Sequence, residues 1–127
     1  METSEVSIRS IVHDVKTSAS FYNEHLGFQV DINPTSGFAA LSKGNVKLFL
    51  NQPGAVKKKM PDGQSPEPGG WNRIQISVDD LKSLYEHLKT KGVEFRNDIV
   101  EGVGGKQVLL KDPSGNLVEL FQPAQKK

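Results

Sequence analysis

The 127-residue chain contains no cysteine. That absence excludes a disulfide framework, a thiolate metal site and a cysteine nucleophile, and it leaves the redox state of the compartment undecided. An excess of one charge is missing too: 16 Lys and Arg stand against 15 Asp and Glu, for a formal net charge of +1, and neither half is strongly basic. No electrostatic footprint for nucleic acid or for a membrane surface is expected. No apolar run approaches the length of a membrane-spanning helix. The opening residues Met1, Glu2, Thr3, Ser4 and Glu5 lack the basic start and apolar stretch of a secretory signal. The expectation is a soluble cytoplasmic protein whose partners are small molecules or other proteins. At this length one cooperative domain is expected, because half of it would be too small to bury a core alone.

What the chain does have is repetition. Val12-His13-Asp14-Val15, followed by a helix-like run to Gly27-Phe28, returns as Val78-Asp79-Asp80-Leu81 followed by a run to Gly92-Val93. Each copy closes on a Gly-Asn turn and a strand, Gly44-Asn45 before 46–50 and Gly115-Asn116 before 117–121. Alternation over 6–12 predicts a strand, Asp14 is a helix-start residue, Phe21, Tyr22 and Leu26 fall near helical spacing, and Gly27 supplies a stop. Strands are expected over 28–32, 37–42 and 46–50. In the second copy they are expected over 74–78, 93–95, 107–111 and 117–121, around a helix marked by Leu81, Leu84 and Leu88. Both halves thus read βαβββ, and two like units that each leave a face uncovered pack against something. The boundaries are 1–52 and 71–127. The connection 53–70 holds Pro53, Pro61, Pro66 and Pro68 with Lys57-Lys58-Lys59, and it reads either as a plain linker or as a lid.

The stretches Ser18-Ala19-Ser20-Phe21-Tyr22-Asn23-Glu24-His25-Leu26-Gly27-Phe28 and Asp112-Pro113-Ser114-Gly115-Asn116-Leu117-Val118-Glu119-Leu120-Phe121, at the ends of a duplicated βαβββ pattern, resemble the glyoxalase/bleomycin-resistance/extradiol-dioxygenase superfamily, the vicinal oxygen chelate proteins. The resemblance implies an α+β fold in which two βαβββ modules pair into a curved, half-open barrel with the site on its concave face. In metal-using members four side chains, from the first and last strand of each module, bind one divalent ion. Counting back from the helix-opening aspartates carries the first-strand positions to Ser7 and Arg73. Counting forward from the Gly-Asn turns carries the last-strand positions to Leu48 and Glu119. Only Glu119 belongs to the residue types that ligate such ions. A homodimer copies the same deficit into every site. His13, His25 and His87 are read as structural or surface residues, so no metal and no other cofactor is expected, a divalent metal being the disfavoured alternative.

Two arrangements remain open at the position the ion would occupy. Arg73 pairs with Glu119 as a stand-in for the ion, or Arg73, with Ser7, Arg9 and Gln75, faces an anionic or carbonyl-bearing ligand. Trp71 either stacks a planar ligand or plugs a seam. The ligand-binding set is therefore Ser7, Arg9, Phe38, Leu48, Trp71, Arg73, Gln75, Glu119 and Phe121. The leading function is a metal-free homodimeric binder of a small planar or anionic compound. A metal-dependent lyase or dioxygenase is the alternative, with Glu119 as the candidate catalytic residue, and an interaction module with a vestigial cleft is the second.

Overall fold

The computed structural model describes residues 6–53 and 60–125. The lysine run Lys57-Lys58-Lys59 and the opening residues 1–5 lie outside the described residues. The chain divides into two units, Met1–Gly69 and Gly70–Lys127, each an α+β assembly of one helix on one sheet. No helix among the described residues is long and apolar enough to cross a membrane.

The first unit runs β1 (Ser7–Ile11), α1 (Val15–Leu26), β2 (Gln29–Ile32), β3 (Phe38–Lys43) and β4 (Val46–Asn51). Its sheet order is β1-β4-β3-β2, with β1 parallel to β4 and the other neighbours antiparallel. The Asp14 carboxylate opens α1 by accepting the Lys16 N–H at 3.1 Å and the Thr17 hydroxyl at 2.8 Å. Gly27 closes the helix with φ 74°, a left-handed geometry that favours glycine. Val15, Ala19, Tyr22 and Leu26 recur every three or four residues and are buried, as are Ala39 and Leu41 of β3 and Leu48 and Leu50 of β4. Period 3.6 in the helix thus meets period 2 in the strands, and the opposite sheet face is left uncovered by α1.

The second unit repeats the plan: β5 (Ile74–Ser77), α2 (Leu81–Thr90), β6 (Glu94–Phe95), β7 (Val100–Glu101), β8 (Gly105–Lys111) and β9 (Leu117–Pro123). Its order is β5-β9-β8-β6, with β5 parallel to β9. Asp80 caps α2 as Asp14 caps α1, accepting the Ser83 N–H at 3.1 Å and its hydroxyl at 2.8 Å. The duplication extends to a pair that the sequence pattern did not disclose. The side-chain oxygen of Gln52 accepts the Val15 N–H at 3.1 Å, and that of Gln122 accepts the Leu81 N–H at 2.8 Å. In both units the residue after the central strand's last site-facing position ties that strand to the first turn of the helix.

The second unit departs from the expected pattern at its edge. Rather than one strand at 93–95, β6 and β7 both pair with β8, at Phe95↔Leu110 and Val100↔Gln107. The intervening residues leave the ladder, Arg96 N–H reaching the Leu109 carbonyl and Asn97 Oδ1 accepting the Leu109 N–H at 2.9 Å. The glycine-rich 102–105 segment is a closed hairpin turn in which Gly102 N–H donates to the Gly105 carbonyl at 2.8 Å. Gly105 has φ 147°, and a Cβ there would lie 2.2 Å from the Gln122 carbonyl oxygen, so close backbone approach requires glycine. The turn before β9 is held by buried Asp112, whose Oδ1 accepts the N–H groups of Ser114 and Asn116 at 2.9 and 2.8 Å.

Candidate functional site

In the second unit, alternation along β9 sends Val118 and Leu120 into the core and Glu119 to the other face. Glu119 is 6% exposed, and a carboxylate at that depth is stable only when its oxygens are satisfied. Both are. Arg73 Nε donates to Oε1 at 3.0 Å, Gln75 Nε2 donates to Oε2 at 2.7 Å, and Arg73 Nη1 also donates to the Trp71 carbonyl at 3.1 Å. The register Gln75↔Glu119 places the amide directly beside the carboxylate. Of the two arrangements open from sequence, the structure has the ion pair. Phe121 follows on the same face of β9 and is half-buried.

Trp71 precedes β5, so strand alternation does not govern it. Its ring is 62% exposed, with the Arg96 guanidinium 4.1 Å from the ring centroid. This stack, worth roughly 0.5–1 kcal/mol at an exposed site, was not legible beforehand because nothing in the sequence links positions so far apart.

In the first unit the corresponding face carries Arg9 and Phe38 together with two residues that the sequence reading missed, Phe49 and Asn51. The Arg9 guanidinium lies 5.5 Å from the Phe49 ring centroid and donates to the Asn51 side-chain oxygen. The Phe38 and Phe49 rings are 5.7 Å apart. The strand register explains the grouping: Arg9 pairs with Phe49, and Phe38 pairs with Asn51. Ser7 sits at the start of the same row, opposite Lys47.

Leu48 has to be corrected. Assigned to the site face by counting from Asn45, it is 2% exposed in the core. Parallel pairing gives Ile8↔Leu48 in the first unit and Ile74↔Val118 in the second, so the counterpart of Glu119 is Phe49. The turn between β3 and β4 has two residues, Gly44 and Asn45, whereas that between β8 and β9 has five, 112–116. Both turns end on Asn, but three residues, 46–48, separate Asn45 from Phe49 and two, 117–118, separate Asn116 from Glu119, and one residue in a strand is a change of face. Counting back from Gln52 and Gln122 gives the right pairing.

A divalent ion does not suit these residues. Ser7, Phe49 and Arg73 offer no ligand of the usual kind, and the Glu119 oxygens are already committed to Arg73 and Gln75. Among the described residues no group of three or more His, Cys, Asp or Glu could hold a metal. The arrangement presents instead one guanidinium neutralised by a carboxylate in the second unit, and one guanidinium held by an amide and a ring in the first.

Known proteins resemble this chain in sequence and in fold. Residues 6–120 match the family model described as the Glyoxalase/Bleomycin resistance protein/Dioxygenase superfamily. A bleomycin resistance protein of Geobacillus stearothermophilus is 27% identical over 120 residues, covering 87% of this chain and 90% of that protein. Among solved structures, a member of the same superfamily from Sphaerobacter thermophilus superposes with a TM-score of 0.76 at 24% identity, over 95% of this chain and 98% of that one. The bleomycin-binding protein of bleomycin-producing Streptomyces verticillus, solved with copper(II)-bleomycin, gives 0.62 at 19% identity over 98% and 99%.

Proposed function

The chain belongs to the Glyoxalase/Bleomycin resistance protein/Dioxygenase superfamily, and on that premise we propose that it is a small-molecule binding protein of the bleomycin-resistance kind, taking a planar or anionic compound without a metal. The observation that carries this reading is Arg9. Its partners among the described residues are the Asn51 amide oxygen and the Phe49 ring, so its charge is positioned, and no described carboxylate cancels it. Phe38 and Phe49 add flat apolar surface beside it, and such a wall with a few polar anchors suffices for affinity. On the second unit's face Glu119, Gln75 and Arg73 form a satisfied polar cluster, with Phe121 on the same strand. Glu119 is a poor general base in this reading, since both of its oxygens already accept hydrogen bonds, from Arg73 and from Gln75.

A homodimer belongs to the proposal. β1 and β5 are the end strands of their sheets, and apolar Val6 and Ile8 on the first of these edges are 78% and 40% exposed. Edges of this kind invite a further strand. Sedimentation would give a dimer mass, and a monomer at micromolar concentration would remove that part.

The binding test uses EDTA-treated protein in a thermal-shift panel of aromatic acids, planar antibiotics including bleomycin, and Zn, Ni and Mn salts. A ligand that binds only the folded state raises the melting temperature. The expected result is a rise with a planar or anionic compound, no stoichiometric response to the metals, and no turnover of methylglyoxal with glutathione. Metal-dependent turnover would replace this reading with the lyase one, and a panel without any response would leave an interaction module.

A further inference from the structure

Away from the strand faces described above, the second unit holds a cavity of about 350 Å³ between α2 and β6, lined by Tyr85, Lys89, Phe95, Arg96, Asn97 and Asp98 among others. Tyr85 and Phe95 meet edge to face, with ring centroids 4.6 Å apart, and form an apolar corner. Two cationic residues line the same space. The Lys89 ammonium lies 5.0 Å from the Tyr85 ring centroid and the Arg96 guanidinium 4.1 Å from that of Trp71. Neither pairs with a carboxylate among the described residues. A cation held against a ring keeps its charge and its N–H donors, so it is placed without being neutralised. One carboxylate faces them: Asp98, whose Oδ1 accepts the Tyr85 hydroxyl at 3.1 Å. Asn97 has its side-chain oxygen committed to the Leu109 N–H, which fixes the amide and leaves its NH₂ group as a further donor.

We propose that this cavity is a second ligand site, selective for a single-ring aromatic acid that carries a hydrogen-bond donor away from its acid group. The acid group takes Lys89, Arg96 and the Asn97 amide, the ring takes the Tyr85 and Phe95 corner, and the donor takes the open oxygen of Asp98. Size agrees with that class. The volume, near the lower end of ligand cavities at roughly 300–1,000 Å³, holds a single-ring acid. Asp98 sets the selectivity: it repels an acid lacking a donor and accepts from one that has it. Its lining residues all belong to the second unit.

The test is titration of the full chain with 4-hydroxybenzoate, read by the emission of Trp71, the only tryptophan, and by amide chemical shifts. Saturable binding below millimolar concentration is expected, with the largest shifts at residues 95–98. Substituting Lys89→Gln and Arg96→Gln together is expected to weaken it by about tenfold or more, since two charge-assisted contacts are lost. Lys16→Gln, exposed on α1 and outside both sites, is expected to leave it unchanged. Asp98→Asn supplies the second measure: the protein is expected to lose its preference for 4-hydroxybenzoate over benzoate while still folding. No saturation at millimolar probe, unchanged binding in the Lys89/Arg96 pair, or an unchanged preference in Asp98→Asn each overturns the proposal.

Discussion

Substituting Arg73→Met is expected to destabilise the protein mainly through the charge it leaves behind. Glu119 would keep the Gln75 amide at 2.7 Å and lose its 3.0 Å bond to the guanidinium. Removing one partner of a fully buried pair costs about 3–5 kcal/mol, whereas an exposed pair is worth about 0.2–1 kcal/mol. The side chains here are 30% and 8% exposed for Arg73 and Glu119, so water can reach the arginine side of the gap, and the loss falls near 2 kcal/mol. At this chain length that corresponds to a fall in melting temperature of about 8 °C. Glu119→Leu should cost less, about 1 kcal/mol, because the orphaned guanidinium can turn to solvent and the leucine gains apolar burial. The decisive species is the double variant. With both charges gone and an apolar pair in their place, it should lie within about 1 kcal/mol of the parent, which gives a coupling energy of roughly 2 kcal/mol in the cycle. Urea unfolding of the four proteins measures it. A double variant as unstable as the sum of the two singles would mean that the pair is not coupled, and that Glu119 is stabilised by something other than Arg73.

The corrected register separates two neighbours: Leu48→Ala should cost about 2–5 kcal/mol of stability with little effect on ligand, whereas Phe49→Ala should be the milder for stability and the one that weakens binding, as paired urea and titration series would reveal. Ser18 is fully buried on α1 with its hydroxyl unpartnered among the described residues, so Ser18→Ala should raise stability by about 1 kcal/mol in the same unfolding assay. Gly105→Ala should cost about 1–3 kcal/mol because the new methyl meets the Gln122 carbonyl, an effect that a melting curve would detect at once. The Asp14 carboxyl is held below its ordinary value of 3.8 by the Thr17 hydroxyl and then the Lys16 N–H, and that of Asp80 by the Ser83 N–H and then its hydroxyl. Lowered folded values mean a contribution fully present above the unfolded pKa and lost as pH falls through the folded one, so Asp14→Asn/Asp80→Asn should differ most from the parent at neutral pH and converge with it below 3.8.

The elements were legible because their signals are local. Asp14 and Asp80 announce the helix starts, Gly27 the end of α1, and period-2 burial marks β4 and β9, each within a few residues of the feature it predicts. The edge of the second sheet was not, since β6 and β7 are two residues each and exist only because β8 offers them a partner. Pairs so short carry no periodicity to detect. The Arg73 and Glu119 pairing could be read from the repeat because both positions sit at fixed distances from local landmarks. The stack of Arg96 on Trp71 could not, because no motif ties a bend before β5 to a residue just past β6.

The one displaced site residue shows which landmarks a duplicated fold preserves. Turns are free to change length, and here one copy uses two residues where the other uses five. Beyond the turn, three strand residues follow Asn45 before the site position and two follow Asn116, so a ruler anchored on the turn slipped by one residue and exchanged Leu48 for Phe49. The contacts that close each unit cannot change so freely, because the Gln52 and Gln122 oxygens must reach the first N–H of a helix whose start is fixed by its aspartate. Counted from these glutamines, Glu119 corresponds to Phe49 in the repeat, and Gln75 to Arg9. One copy has thus become a sealed carboxylate cluster, and the other a cation on an aromatic wall. That division predicts where affinity resides: substitutions at Arg9 should alter ligand binding with little cost in stability, and substitutions at Glu119 should do the reverse. Equal effects on binding from both would show that the two halves of the repeat have not divided these roles.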